Sequence, residues 1–318
     1  MKAFVIIFTC LFFVSLIGFM ITIAYTGIHI GEAIRSGNFS FNFGWSVFNS
    51  SWDPYVISET FDDSYDNIEI GILLARADIK LSSDGITRIN YSGNYNFNNL
   101  EFIAEIDGDT LVVKEKGFVM WGRGWSWGNI AGRQTTLDVE LPEEFFNKIS
   151  IDITSGRLNA DLPETDNLYV NITSGSVTLD YNHDTRANHL RSYSTSGTVR
   201  INGFSPDTYD IYSTSGTQRI SGLSGSGNVR LTSGSAHVDF AEWDGALKVN
   251  VTSGSVNITV PGGSGADLRF SRTSGSVKYN MDGDSGSLNR SGTATVGGSN
   301  KQRVEVNLTS GSTSIATN

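Results

Sequence analysis

The residues that could carry covalent chemistry are few, and they lack the partners that such chemistry needs. The segment Gly283-Asp284-Ser285-Gly286 matches the phrase around the nucleophilic serine of one class of serine proteases. That reaction also requires a histidine base oriented by a buried aspartate. None of the four histidines stands in the surroundings expected of such a base: His29, His183, His189 and His237. The sequence therefore predicts a glycine-rich turn here and no nucleophile.

Carboxylates offer two further possibilities, a calcium loop and a pair of catalytic acids. Asp282 and Asp284 begin a pattern seen in calcium loops, but Thr293 stands where the required glutamate would be. Asp161 and Asp180 fall at equivalent positions of neighbouring repeats, near the separation that retaining glycosidases use. Solvated charges on a polar face explain this pair more simply. We predict no catalytic residue, no cofactor and no metal site.

A basic stripe is the first candidate for binding a ligand. Arg200, Arg219, His237 and Lys278 take equivalent outward positions in the repeats described below, on a chain that is acidic as a whole. Salt pairing with neighbouring aspartate columns is the alternative interpretation of these side chains.

Tryptophans provide the second candidate. Trp125 and Trp127 belong to a glycine-rich loop at 121–128, which could contact sugar rings or a membrane surface. The alternative is a lid packed over the first coils of the fold.

Composition narrows the classes of partner and excludes a disulfide scaffold. The chain has 318 residues and a formal net charge of −10. Nucleic-acid binding requires clustered lysine and arginine to neutralise phosphates, so no nucleic-acid partner is expected. Cys10 is the single cysteine, which leaves no internal disulfide and no cysteine-based metal site. Packing and backbone hydrogen bonds must therefore hold the fold together.

A repeated phrase, Thr-Ser-Gly, organises the second half of the chain. Its glycines are Gly156, Gly175, Gly197, Gly216, Gly234, Gly254, Gly275 and Gly311. Successive glycines are 18 to 22 residues apart, except for a last step of 36 residues. A period near 20 residues is typical of solenoids. Ser291-Gly292-Thr293, within the long step, is either a worn copy of the phrase or part of a long loop.

Each repeat consists of a strand, a corner and a second strand, because apolar and polar residues alternate on both sides of the phrase. One inward column follows the corner: Ala160, Leu179, Ile201, Ile220, Val238, Ile258, Tyr279 and Ile315. Another lies three residues before each threonine: Ile151, Val170, Ser192, Ile211, Val229, Val249, Phe270 and Val306. Gln218 and Arg272 interrupt the apolar pattern.

These columns predict an all-β fold, a single-stranded parallel β-helix or β-solenoid of about 20-residue coils. One coil buries about four apolar side chains at roughly 1.5–3 kcal/mol each, less than the backbone entropy of ordering it. The coils must therefore stack. We expect successive corners to be neighbours, with each serine inward, each threonine outward and each glycine in the bend.

The N-terminal sequence predicts a membrane anchor. Residues 3–25 carry no charge and, as one transmembrane helix, would span a bilayer core of about 30 Å. A cleaved signal peptide, the alternative, has an apolar region of only about 7–15 residues. Lys2 precedes the stretch, while Glu32 and Arg35 cancel after it. We predict a single-pass protein of the cell membrane with its C-terminal domain extracytoplasmic.

The domain organisation follows from these features. Residues 1–26 are the predicted transmembrane signal-anchor helix and 27–60 a juxtamembrane linker. Residues 61–318 form one β-solenoid domain, with irregular first coils or a cap at 61–147 and the Thr-Ser-Gly repeats at 148–318.

From about residue 66 to 318 the sequence resembles the bacterial putative-adhesin family, a domain of unknown function. The resemblance rests on Leu111-Val112-Val113-Lys114, on Leu137-Asp138-Val139-Glu140-Leu141-Pro142 leading into Ile149-Ser150-Ile151, and on the Thr-Ser-Gly rungs. The family often has Asp or Asn after the glycine, where this chain has Arg157 or Ser176. The resemblance implies a surface β-helix, often tethered by one span, with no catalytic residues to transfer.

These observations predict a non-catalytic, adhesin-like surface module that binds a partner or acts as a structural spacer. Its expected partners are cell-envelope polysaccharide or an envelope protein. An accessory of cell-envelope stress signalling is the alternative, followed by a polysaccharide-active enzyme.

The C-terminal residues suggest a further contact. The chain stops at 314–318, directly on the last rung, and that rung has no Lys or Pro to block another strand. We expect an open edge that pairs with a second copy or an envelope protein. The alternative is that the segment 276–303 folds over as a cap.

Overall fold

The structure is a computed structural model that describes residues 55–93, 101–116 and 135–318. These residues belong to one compact unit, Asp53–Asn318. Within them the regular elements are β-strands, and no helix has the length and apolarity needed to cross a membrane. The predicted anchor at 3–25 lies outside the described residues, as does the loop with Trp125 and Trp127.

The described residues form 25 strands in two sheets, numbered in chain order. Sheet I runs in the order β1 (Tyr55–Phe61), β4 (Thr87–Gly93), β7 (Thr136–Pro142), β3 (Arg76–Ser82), β9 (Arg157–Leu162), β11 (Ser176–Tyr181), β13 (Thr198–Asn202), β15 (Thr217–Leu223), β17 (Ser235–Phe240), β19 (Ser255–Val260), β25 (Ser312–Thr317), β21 (Ser276–Met281) and β22 (Asp284–Leu288). Sheet II runs in the order β23 (Gly292–Gly297), β20 (Ser264–Arg272), β24 (Asn300–Leu308), β18 (Leu247–Val251), β16 (Ser226–Leu231), β14 (Pro206–Ser213), β12 (Ala187–Ser194), β10 (Thr165–Ile172), β8 (Phe146–Ile153), β2 (Asn67–Ile72), β6 (Thr110–Lys116) and β5 (Glu101–Asp107).

Each coil contributes one strand to sheet II, turns at the corner and continues into sheet I. Neighbouring coils pair in parallel, and the predicted inward columns are confirmed. Leu179 is in register with Ala160 and Ile201, while Val170 is in register with Ile151 and Ser192. All six side chains are buried, the five apolar ones in one core cluster and Ser192 beside it. The fold is therefore all-β and solenoid-like, as the period predicts.

Glycine is required at the corners because the coils approach too closely there for a side chain. The N–H of Ser174 donates to the carbonyl of Thr154 at 2.8 Å, so adjacent corners are joined backbone to backbone. A Cβ on Gly175 would lie 2.0 Å from the carbonyl oxygen of Gly156. The prediction of an inward serine is wrong: Ser215 is exposed, whereas Gly216 beside it is buried. The residue without a side chain takes the crowded inward position.

The order of the coils departs from the chain order at both ends. Six corners, from Gly156 to Gly254, stack in sequence, but the next neighbour of the β18–β19 coil is the last coil, β24–β25. The β20–β21 coil packs outside it. At the other end, the β6–β7 coil likewise lies outside the earlier β2–β3 coil. The expectation of strictly successive stacking is therefore wrong for the terminal coils.

Antiparallel strands cover both ends of the stack. β22 pairs with β21 and β23 with β20, while β4 and β5 cover β7 and β6. The segment 276–303 therefore includes the cap, and Gly292 begins a cap strand instead of a worn corner. The predicted open edge at the last rung is wrong, because β25 is hydrogen-bonded on both sides. β1 begins at Tyr55, inside the segment 27–60 that was predicted as a linker, and it pairs with β4. The domain therefore begins before residue 61.

The polar interruptions of the core are partners of one another. Ser192 donates to Gln218 Oε1 at 2.7 Å, and Gln218 Nε2 donates to Ser194 Oγ at 3.1 Å. All three side chains are buried. A buried polar group without a hydrogen bond costs about 1–3 kcal/mol. The amide of Gln218 can be buried because Ser192 and Ser194 supply its hydrogen-bond partners.

Candidate ligand-binding face

Arg200 and Arg219 lie side by side on the outer face of sheet I. They stand on β13 and β15 and are in direct register, one rung apart. Both side chains are exposed, and both strands are held on each side by a neighbouring parallel strand. Like charges placed directly opposite each other destabilise a sheet. The pair is therefore an electrostatic cost to the fold when no anion is present.

The residues that flank this pair along its own two strands are neutral. Thr198 and Asn202 flank Arg200 along β13, and Thr217 and Ser221 flank Arg219 along β15. The aspartate column of sheet I, which includes Asp161 and Asp180, is thus interrupted at these two coils and resumes at Asp239 on β17. In the described part of the chain, neither arginine forms an ion pair. Salt pairing with neighbouring aspartates does not occupy them.

Arg186, in contrast, is an arginine whose charge is neutralised by nearby carboxylates. Its Nη1 lies 2.7 Å from Asp244 and 3.2 Å from Glu242, and Asp207 contacts its Nε at 2.5 Å. The hydrogen bond that Arg186 donates to Asp244 is the main cause of its raised pKa. Three carboxylates hold this arginine, which joins the loops at the edge opposite the corners. Arg200 and Arg219 have no such arrangement.

The rest of the predicted basic stripe is less continuous. His237 follows Arg219 in register on β17, and Asn257 follows His237 at a ring-to-amide distance of 3.4 Å. Ser314 comes next, because β25 is inserted at this point, and Lys278 follows Ser314. The structure therefore brings together Arg200, Arg219 and His237 and separates Lys278 from them.

Asp161 and Asp180, the possible catalytic carboxylates, do not form a free pair. Asp161 and Asp180 are in register, as the period predicts, but Asp180 accepts a hydrogen bond from Asn202 Nδ2 at 2.7 Å. Asp284 and Ser285, from the protease-like phrase, lie on the exposed cap strand β22. Within the described ranges no group of three or more His, Cys, Asp or Glu residues is placed to hold a metal ion.

Rows of exposed hydroxyl groups lie beside the corners, where the sequence predicted inward serines. A shallow groove of about 600 Å³ follows the stacked corners, with glycine backbone as its floor. Its walls are hydroxyl residues: Ser215, Thr217, Ser233, Ser235, Ser253, Ser255, Ser276, Ser310 and Ser312. The residue after each glycine carries this signal, since it is Ser or Thr from Ser176 onward.

Sheet II carries a stacked aromatic pair that the sequence analysis did not predict, with Tyr193 exposed and Tyr212 partly buried. The rings of Tyr193 and Tyr212 stack at 4.8 Å between centroids, on adjacent rungs. Hydrogen bonds from Thr214 and Thr232, with a smaller effect of Arg230, lower the pKa of Tyr212. The equal spacing of the two tyrosines from their corners is the signal that could have found them.

No curated protein matches the sequence. Among solved structures, a putative adhesin from Bacteroides fragilis NCTC 9343 is 14% identical over 83% of this chain and 97% of that one, with a TM-score of 0.46. A putative adhesin from Parabacteroides merdae ATCC 43184 is 13% identical over 84% and 97%, with a TM-score of 0.42. A putative lipid binding protein from Parabacteroides distasonis ATCC 8503 is 13% identical over 84% and 98%, with a TM-score of 0.41. The profile of the family described as Toastrack DUF4097 matches residues 65–316, nearly the whole described domain. This chain belongs to the Toastrack DUF4097 family.

Proposed function

We propose that this protein is a membrane-anchored, extracytoplasmic module that binds acidic cell-envelope polysaccharide without catalysis. The observation that carries the proposal is the register of Arg200 with Arg219 on adjacent rungs, where both have neutral flanking residues on their own strands and neither forms an ion pair within the described residues. Two guanidinium groups one rung apart present parallel donors to a carboxylate or a phosphate.

The rigidity of the stack favours binding. Both arginines stand on central strands of a 13-stranded sheet, so little backbone ordering is required when a ligand arrives. Binding an anion would also remove the repulsion between the two charges. His237 extends the row by one rung. A flexible polymer with repeated negative charges fits such a row better than a single small anion does.

The anchor at 3–25 would place this face outside the cytoplasmic membrane. Intact protoplasts treated with protease should lose the domain and keep a small membrane-bound stub. Full protection of the domain would reverse the proposed topology.

Binding is tested with the full-length chain in detergent micelles, on an immobilised acidic polysaccharide and a neutral one. Arg200→Gln with Arg219→Gln should reduce retention on the acidic polymer at least tenfold. The control is Lys80→Gln with Arg157→Gln, which removes the same charge from exposed residues of sheet I. Equal losses in both double variants, or cleavage of the polymer by the wild type, would contradict the proposal.

A further inference from the structure

Tyr193 differs from the other exposed apolar side chains of the described residues in its place in the fold. The large hydrophobic residues that are exposed there are Val56, Leu74, Phe145 and Tyr193. Val56 stands on the edge strand β1, and Leu74 and Phe145 lie in turns between strands. Tyr193 stands on β12, a central strand of sheet II, with its side chain on the outer face. A central position on a rigid sheet suits a binding surface.

Tyr193 and Tyr212 belong to one column of side chains that crosses sheet II. Asn171, Tyr193, Tyr212 and Arg230 occupy successive rungs in register, on β10, β12, β14 and β16. The two tyrosine rings stack at 4.8 Å between centroids, with an interplanar angle of 16°. Arg191, two residues before Tyr193 on β12, is exposed on the same outer face. These five residues lie together, and we call them the tyrosine patch.

The side chain and the backbone of Tyr212 are both held in place. Its hydroxyl group is hydrogen-bonded to the side chains of Thr214 and Thr232. Beneath it, the buried side chain of Gln218 donates to the backbone carbonyl of Tyr212 at 3.2 Å. Tyr193 therefore stacks on a fixed ring, and little side-chain freedom is lost when a ligand arrives.

The second face of the Tyr193 ring has no ring packed on it. Tyr212 covers one face, and within the described residues Tyr193 contacts no further aromatic ring. Asn171, the neighbour on the open side, has a short side chain that donates to Asp152 Oδ1 at 2.8 Å, one rung farther from Tyr193. Arg191 forms no ion pair with any residue that the structure describes. A flat apolar surface is thus left beside an amide and a guanidinium group.

A sugar ring matches both the size and the chemistry of this patch. The C–H groups on one face of a pyranose pack against the electron-rich face of an aromatic ring, while the hydroxyl groups at its rim form hydrogen bonds. Two tyrosines bury about 150–250 Å² each, well below the roughly 800 Å² per partner of a stable protein interface. The polar residues around the rings also argue against a lipid surface as the ligand.

We propose that the tyrosine patch is a second binding site, which takes one uncharged pyranose ring of an oligosaccharide. The sugar ring stacks on the open face of Tyr193, and its hydroxyl groups bond to Asn171 and Arg191. The patch lies on sheet II, whereas Arg200 and Arg219 lie on sheet I, so this site does not rest on the proposed function. Because stacking is not an ionic contact, the affinity should change little with salt.

The test uses the full-length chain in a detergent without sugar headgroups, with chitohexaose and cellohexaose as separate neutral probes. In isothermal titration calorimetry, Tyr193→Ala should bind the preferred hexasaccharide at least fivefold more weakly than the wild type does. Tyr193→Phe keeps the ring face and should bind as the wild type does. The affinity of the wild type should stay within about twofold when salt is raised to about 1 M, where the Debye length is about 3 Å.

Phe145→Ala is the matched control, since Phe145 is an exposed aromatic residue outside the patch. Failure of the wild type to bind either hexasaccharide would overturn the proposal. So would equal losses in Tyr193→Ala and Phe145→Ala. If Arg200→Gln with Arg219→Gln abolished hexasaccharide binding and Tyr193→Ala retained it, the proposed function would stand and the tyrosine site would be refuted.

Discussion

Glu115 and Arg272 lie at opposite ends of the stack, beside the same corner edge, and each caps the backbone there with the opposite chemistry. Glu115 Oε2 accepts from the N–H groups of Leu73, Leu74 and Ala75 at 2.8, 2.8 and 3.0 Å. Arg272 donates to the carbonyl of Gly275. Corner N–H groups point toward one end of the stack and carbonyls toward the other, so one end needs an acceptor and the other a donor.

Replacing Glu115 should destabilise the domain. The side chain is 5% exposed, and Glu115→Ala would leave three N–H groups without their acceptor. We expect the free energy of unfolding to fall by about 3 kcal/mol or more, and by less in Glu115→Gln, which keeps one oxygen. Urea denaturation measures the loss, with Glu105→Gln as an exposed control. Equal stability of Glu115→Ala and the control would show that the cap is dispensable.

A methyl group at a corner glycine should be poorly tolerated. A Cβ on Gly234 would lie 2.2 Å from the carbonyl oxygen of Gly216 and 2.7 Å from Ser213 Oγ. We expect Gly234→Ala to cost about 1–3 kcal/mol or more, because backbone must move to admit it. Gly262→Ala is the control, since nothing lies within 4 Å of its Cβ position. Thermal unfolding of the two variants decides, and a larger loss at Gly262 would refute the close-packed corner.

The inserted last coil can be trapped by a disulfide. In a Cys10→Ser background, Asn257→Cys with Ser314→Cys places two cysteines in register on β19 and β25. Neighbouring strands lie about 4.8 Å apart, within the range of Cα separations that a disulfide spans. Mild oxidation followed by non-reducing electrophoresis should show an internal bond. Efficient bonding in Asn257→Cys with Lys278→Cys instead would restore strict sequence order.

Tyr65 should make the stability depend on alkaline pH. Burial of its hydroxyl raises its pKa to about 12, against a lowering hydrogen bond with Thr87 and a further raising effect of Glu144. Below pH 10 the group is protonated in both states and its contribution is complete. Between pH 10 and about 12 the unfolded chain loses this proton while the folded chain keeps it, so stability falls by about 2 to 3 kcal/mol. Urea unfolding across this range should show a shallower decline for Tyr65→Phe. Parallel declines would contradict the role of Tyr65.

The local arrangement of the coils could be predicted from the sequence, but their order at the ends could not. Alternation and period place Leu179 beside Ala160 without knowledge of the structure. Every Thr-Ser-Gly corner, however, presents the same backbone surface. Local geometry would therefore allow the Gly254 corner to stack on that of Gly311 or on that of Gly275. The cap strands β22 and β23 pair with the outer side of β21 and β20 and leave the inner side to β25 and β24, a pairing that the repeated corner phrase does not encode. The position of Lys278 was misjudged for this reason.

The arginine pair could be predicted from the sequence only in part. Its register follows from the period, and the neutral column of Asn202 and Ser221 beside it was visible in the sequence. Whether aspartates on neighbouring rungs reach the arginines depends on side-chain conformations that no pattern encodes. The choice between binding and salt pairing was therefore left open until the contacts were known.

The central claim is that Arg200 and Arg219 act together on one ligand group, and a double-mutant cycle tests it most directly. Affinity for an acidic polysaccharide is measured for the wild type, Arg200→Gln, Arg219→Gln and the double variant, all full-length and at the same salt concentration. If both guanidinium groups hold one anion, each single change removes most of the affinity and the double variant is scarcely weaker. Small, additive losses, no larger than that of Lys80→Gln, would show that the pair contributes only net charge and would contradict the account.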